Sequence, residues 1–355
     1  MKFLKILLIN LIVFLIGFSF IELSLRTYLT IKHFENPNAN YWGKTWYRSN
    51  PISFTKFDEK LKFTLKPNVS FKNVDLPRWE KNSNITVNNL GFRDNKNSFQ
   101  KVNKFRILTV GDSFTFGSQV TDQNTWPSCL EKNLKIKIDN AGVPGYSAGQ
   151  AVKKALIETK KRNYSDIIWS IYFRDFRRDE TEKILTKNSN SQIVYNKFDE
   201  NLDKKKKNFF QKVFFLSKEY FFTIYYFDEK LLIINSTNDK RVIDKETDKS
   251  KNKIIIENAK YLIQLFSSIP VKNKVILFQY GYIKNFDNEK NNPELYDINL
   301  LKDLIVKYSK NFDIQIFDTN EIISKLSGKE KELLWFDHHT AKGNKMVCDF
   351  IIKKM

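Results

Sequence analysis

From residue 105 onward the chain alternates short apolar runs with longer stretches of helical periodicity, and this alternation restricts the fold more than any other feature. The first run, 105–110, holds Ile107, Leu108 and Val110 and is ended by a glycine, as a buried strand would be. Comparable runs lie at 135–139, 167–173, 274–280 and 314–317. Between them, 125–133, 147 to about 161, 253–267 and 298–308 read as helices, and a last helix starts near Ala341. Ser147-Ala-Gly-Gln150 is a capping-box pattern that opens a helix with Ala151, Val152, Ala155 and Leu156 on its inner face. In 253–267, Ile255, Ile256, Ala259, Leu262 and Leu265 recur at helical spacing. Strands alternating with helices predict a three-layer α/β/α domain, with a five-stranded, mostly parallel sheet covered on both faces.

Such sheets bind ligands at the carboxyl edge of their strands. Ser113 stands there, in Gly111-Asp112-Ser113-Phe-Thr-Phe-Gly117. Gly-Asp-Ser also makes an ordinary turn, so the tripeptide alone decides little. Three later segments give it weight. Asn140-Ala-Gly-Val-Pro-Gly-Tyr-Ser147 follows the second run, Arg174-Asp175 ends the third, and Asp337-His338-His339-Thr340-Ala-Lys-Gly343-Asn344 lies near the C-terminus. Serine hydrolysis of an ester needs a hydroxyl, a base, a group that orients the base, and donors for the oxyanion; these segments can supply each.

This ordered set resembles the SGNH (GDSL-type) hydrolase superfamily over about residues 104–355. Thr125-Trp126-Pro127 and Asn89-Leu-Gly-Phe-Arg93 resemble stretches of its membrane-anchored bacterial members. The resemblance implies a flavodoxin-like SGNH fold with Ser113 as nucleophile. It also implies an oxyanion hole built from the backbone N–H groups of Ser113 and Gly142. Relatives carry Asn-Asp after the third strand, and the asparagine amide is the third donor. Here Arg174-Asp175 occupies that place, so Arg174 is either a charged oxyanion donor, a clamp for an anionic substrate, or a partner of Asp175 or Asp179. The base is His338 or His339. Asp337 has the usual two-residue spacing to His339, whereas Gly343 and Thr340 count back to His338.

The remaining sequence bounds the partners. Residues 1–26 read as a signal anchor. Lys2 and Lys5 precede an apolar stretch that can span a bilayer between Phe3 and Leu25; a cleaved signal peptide ending near Gly17-Phe-Ser19 is the competitor. Either reading places the main domain outside the cytoplasm. Residues 27–103 form an extension broken by Pro37, Pro51, Pro67 and Pro77; its Trp42, Trp46 and Trp79 are expected to pack on the main domain. At about 177–250 a helical insertion joins the basic run 204–207 to a group of aromatics that includes Phe209, Phe210, Tyr225 and Phe227. It suits a bilayer surface, a lid, or plain packing. The net charge of +20 comes from lysines spread along the whole chain, with no nucleic-acid module. No cofactor motif appears. A metal site is not expected, because no ligand cluster accompanies the two histidines. Cys129 and Cys348 sit in apolar helical contexts and are expected to pack as small hydrophobes. The chain thus reads as a membrane-anchored esterase or O-acyltransferase acting on an acylated cell-envelope glycan or lipid. The alternative is a non-catalytic binding or assembly protein on the same scaffold.

Overall fold

The structure, a computed structural model, describes residues 2–35, 54–74, 80–97, 105–198, 245–281, 293–335 and 338–355. These fall into two compact units, 1–53 with 199–244, and 54–198 with 245–355.

In the first unit, helix α1 (Lys2–Glu35) contains a stretch, Leu4–Tyr28, of 25 residues with mean hydropathy 2.5. At 1.5 Å per residue it is about 37 Å long, more than the roughly 30 Å of a bilayer core. Its apolar side chains, Leu7, Val13, Ile16 and Phe20 among them, are exposed along the whole stretch. The helix is long and apolar enough to cross a membrane. Glu22 accepts from Arg26 Nε at 2.6 Å one turn later, which pairs the acid within the helix.

In the second unit, residues 54–97 form two antiparallel ribbons, β1 (Thr55–Asp58) with β2 (Lys62–Leu65) and β3 (Val69–Val74) with β4 (Ser83–Val87). The main domain follows as β5 (Arg106–Val110), α2 (Ser113–Phe116), α3 (Trp126–Leu134), β6 (Lys137–Asn140), α4 (Ala148–Thr159), β7 (Asp166–Tyr172) and α5 (Arg174–Thr181). A short ribbon, β8 (Leu185–Lys187) with β9 (Ile193–Tyr195), comes next. The chain continues with α6 (Lys245–Ser267), β10 (Asn273–Gln279), α7 (Pro293–Ser309), β11 (Gln315–Asp318) and two short helical segments, and ends in α8 (Ala341–Lys354).

The five-stranded sheet runs β11-β10-β7-β5-β6, and every pairing in it is parallel. All five expected strands are present, and the sheet is wholly rather than mostly parallel. Its order is flavodoxin-like: the chain leaves β5 to one side for β6, then crosses to the other for β7. Because side chains alternate across a strand, neighbours in sequence enter opposite layers. Leu108, Trp169, Ile276 and Phe278 pack towards α4, α6 and α7, while Ile107, Ile168, Leu277 and Phe317 pack towards α3 and α8. Burial on both faces explains why these strands read as continuous apolar runs.

Two expectations are corrected. Cys129 and Cys348 are not separate small hydrophobes. They form a disulfide that joins α3 to α8 across 219 residues of sequence. Helical periodicity places each cysteine on an inner face but carries no information about which helices become neighbours. The stretch that breaks the alternation after β7 also opens on α5 and the β8–β9 ribbon rather than on helix alone. Its basic run at 204–207 and the aromatics at 209–227, like Trp42, Trp46 and Trp79, lie outside the described residues.

Candidate active site

The switch point between β5 and β7 opens a crevice at the carboxyl ends of those strands, and Ser113 stands in it as the first residue of α2. Asp112 caps this single turn: its Oδ1 accepts from Phe114 N at 2.9 Å. Gly117 ends it at φ +79°, a left-handed conformation that glycine adopts without strain. The turn is braced from behind. Trp126 Nε1 donates to Phe114 O at 3.1 Å. The wholly buried Arg93 donates to Asp122 Oδ1 at 2.7 Å, and to the carbonyls of Val120, Phe116 and Gly117 at 2.8, 3.3 and 3.2 Å. The Asn89–Arg93 and Thr125–Pro127 stretches thus hold the serine loop.

Ser113 is 7% exposed, and its Oγ lies 2.8 Å from His338 Nε2. Gln119 Oε1 accepts from His338 N at 3.2 Å, tying the histidine's backbone to the serine loop. His339 turns the other way. It is buried, and its Nε2 lies 3.0 Å from Gln279 Oε1 at the end of β10; Gln279 Nε2 in turn donates to Ser170 Oγ at 2.6 Å. His339 Nε2, the Gln279 amide and Ser170 Oγ thus form one buried chain of polar contacts. Burial first, then the neighbouring His338 charge, push the His339 pKa down to about 3, against an opposing bond with the Leu334 backbone. His339 is therefore neutral and faces the core, and of the two histidines it is His338 that stands beside Ser113. Asp337 lies outside the described residues.

The expected oxyanion arms fare differently. Ser113 N, at the first position of α2, has no intrahelical acceptor, and it makes no hydrogen bond among the described residues. Gly142 N–H already donates to Asn140 Oδ1 at 3.1 Å. What comes close to Gly142 is the back of α2: a Cβ there would lie 2.7 Å from the Thr115 carbonyl carbon and closer still to Phe116 N. A side chain at this position would strike α2, so helix packing requires glycine here. Arg174 begins α5, is exposed, and carries its guanidinium carbon 5.8 Å from the centre of the Phe173 ring. Asp175 does not pair with it. Asp175 Oδ1 accepts from Arg178 at 2.7 Å and its Oδ2 from Tyr172 N at 3.0 Å. Asp179 accepts from Ser147 Oγ and Gly149 N at the start of α4, and burial pushes its pKa up to about 7 against those hydrogen bonds.

Three residues at this corner escaped the sequence reading. Arg178 had a signal in its three-residue spacing from Asp175 at a helix start. Gln279 had one as a polar residue closing an apolar strand. Asn344 links the two halves of the site: its Oδ1 accepts from Trp126 N at 3.1 Å, and its Nδ2 donates to His339 O at 3.2 Å. The groups able to ligate a metal that cluster among the described residues are Cys129, Cys348 and Asp349, and the disulfide engages both sulfurs.

No family model matches the chain, and no curated protein matches it. Solved structures do. The chain resembles GDSL-type lipolytic hydrolases. A member of the lipolytic protein G-D-S-L family from Veillonella parvula shares 10% identity at a TM-score of 0.41, covering 70% of this chain and 97% of that one. An acetylxylan esterase from Geobacillus stearothermophilus shares 12% at 0.38, over 72% and 96%. A psychrotrophic esterase from a Pseudoalteromonas species shares 11% at 0.39, over 70% and 97%. At these TM-scores the fold stands on the strand order itself.

Proposed function

We propose that the chain is a membrane-anchored serine esterase or O-acyltransferase that works through an acyl-serine intermediate. The observation that carries this reading is the 2.8 Å contact of Ser113 Oγ with His338 Nε2 at the switch point of a parallel sheet. In the first half-reaction His338 takes the hydroxyl proton while Oγ attacks the ester carbonyl carbon. The oxyanion forms near Ser113 N. Collapse breaks the ester C–O bond, and the His338 imidazolium returns its proton to the departing alcohol. Water, or the hydroxyl of an acceptor, then attacks the acyl-Ser113 carbonyl with His338 again as base, and Ser113 leaves with its proton restored. Water gives hydrolysis; an acceptor hydroxyl gives transfer.

An acetylated or otherwise acylated glycan or lipid of the cell envelope is the substrate class that suits this location. Two features favour a site outside the cytoplasm, with α1 retained as an anchor: the apolar stretch Leu4–Tyr28 and the Cys129–Cys348 disulfide, a bond that persists in oxidising compartments. A second reading, a non-catalytic binding or assembly protein, has one observation in its favour: the Gly142 N–H is engaged by Asn140. The experiment that separates the two is turnover of acetyl and longer acyl esters by the full chain and by Ser113→Ala. Turnover that vanishes in the folded variant supports the enzyme. Equal, background-level rates in both support the binding protein.

A further inference from the structure

Ser113 has one hydroxyl proton and two acceptors. His338 Nε2 lies at 2.8 Å and Asp112 Oδ2 at 3.2 Å. Only donation to His338 is productive; a hydroxyl turned to Asp112 presents its proton to a carboxylate that leads nowhere. Asp112 Oδ1 is occupied as the cap of α2, so Oδ2 is the competing oxygen. That same oxygen faces Arg178, whose Nη1 lies 3.5 Å from it. Nη1 also donates to Tyr146 O at 2.8 Å and to Asp175 Oδ1 at 2.7 Å. One guanidinium therefore joins the serine loop, the loop that follows β6 and the turn that follows β7, the three segments that wall the crevice.

We infer that Arg178 is a positioning residue that offsets the charge of the Asp112 carboxylate beside Ser113 Oγ, so that the hydroxyl donates to His338. The inference rests on the Ser113–His338 reading above. A carboxylate bonded by a guanidinium is a weaker acceptor for a neighbouring hydroxyl, and its charge is offset where it faces the imidazole. Among the described residues, the charged and titratable groups around this corner are Asp112 on the serine loop; Tyr172, Arg174, Asp175, Arg178, Asp179 and Glu182 on β7, α5 and its end; and His339 beside His338. Burial first, then the Asp112 charge, push the Asp175 carboxyl well above the usual carboxylate range, with Arg178 opposing. Arg178 is the positive group bonded to both acids.

The test is the pH profile of kcat/KM for the full chain carrying Arg178→Gln, Asp112→Asn or both. Arg178→Gln exposes His338 to an unbalanced carboxylate, which favours imidazolium. Its acid limb should move up by about one pH unit, and its rate at neutral pH should fall about tenfold. Asp112→Asn keeps the cap oxygen and removes the negative charge, so its acid limb should move down. The double variant should return the limb to within about half a unit of wild type. An arginine that only stabilises the fold would lower the amount of active enzyme without moving the limb. If Arg178→Gln does not fold, Arg178→Met, which keeps the half-buried stem and drops the charge, is measured in its place with the same expected shift. Wild-type turnover with the limb unmoved in every folded variant overturns this inference alone. A wild type with no Ser113-dependent turnover overturns the reading beneath it as well.

Discussion

His338 and His339 are neighbours in sequence and opposites in environment. His338 is half-buried in the crevice with its ring beside Ser113 Oγ; His339 is enclosed between Gln279, Trp335 and Phe114, with a pKa near 3. The backbone is tied on both sides: the Trp335–His339 bridge holds it at His339, and Gln119 Oε1 accepts from His338 N at 3.2 Å. One imidazole stands beside the serine, and the other is packed into the core.

The largest expected effect separates the two. His338→Ala should lower kcat/KM by about 10²–10⁴-fold, the contribution of a positioned general base, with the denaturation midpoint little changed. A variant that keeps wild-type rates breaks the comparison at its active end. Next comes the frame that both histidines share. Cys348→Ser frees α8 from α3 and should cost about 2–4 kcal/mol in chemical denaturation. A variant as stable as wild type would show that Asn344 and the core hold that frame unaided. His339→Leu keeps the volume but leaves the buried Gln279 amide without its ring partner, and should cost about 1–3 kcal/mol at pH 8.

This last cost should shrink on acidification. Folded His339 stays neutral down to about pH 3, whereas the unfolded chain takes up a proton near 6.5. Below pH 6.5 wild type therefore loses stability by up to about 1.4 kcal/mol per pH unit through this group, and the leucine variant does not. Asp179 acts with the opposite sign in wild type and variant alike. Its folded carboxyl titrates near 7, so its contribution is lost as pH rises from the ordinary carboxylate range towards 7, and it cancels in the difference. A stability difference independent of pH from 8 to 4 would mean that His339 is not buried as a neutral ring. The smallest effect belongs to Arg174, exposed above Phe173. Arg174→Ala should change kcat/KM on neutral esters by less than about threefold. A tenfold loss would make it the charged oxyanion donor its position in sequence suggests.

Much of the fold was legible because the signals were local. Ile107-Leu108, Ile168-Trp169 and Leu277-Phe278 mark strands buried on both faces, and Ser147 with Gln150 forms the capping box seen at the start of α4. The serine was legible because a strand end places it at the sheet edge. Which histidine stands beside it was not, because spacing to Asp337 and spacing to Gly343 gave different answers, and only the folded loop puts His338 Nε2 at Ser113 Oγ. The disulfide and the Arg178 network were hidden for the same reason. Each joins residues through tertiary neighbours, α3 with α8 and α5 with the serine loop, and periodicity within one element cannot report that.

The measurement that bears most directly on the account is covalent labelling of the full chain by a fluorophosphonate, with the modified residue located by mass spectrometry, in wild type, Ser113→Ala, His338→Gln and His339→Gln. Labelling should fall on Ser113 in wild type, vanish in Ser113→Ala, slow by about 10²-fold or more in His338→Gln, and persist near the wild-type rate in folded His339→Gln. Labelling that depends on His339 and not on His338, or that never reaches Ser113, would contradict the account.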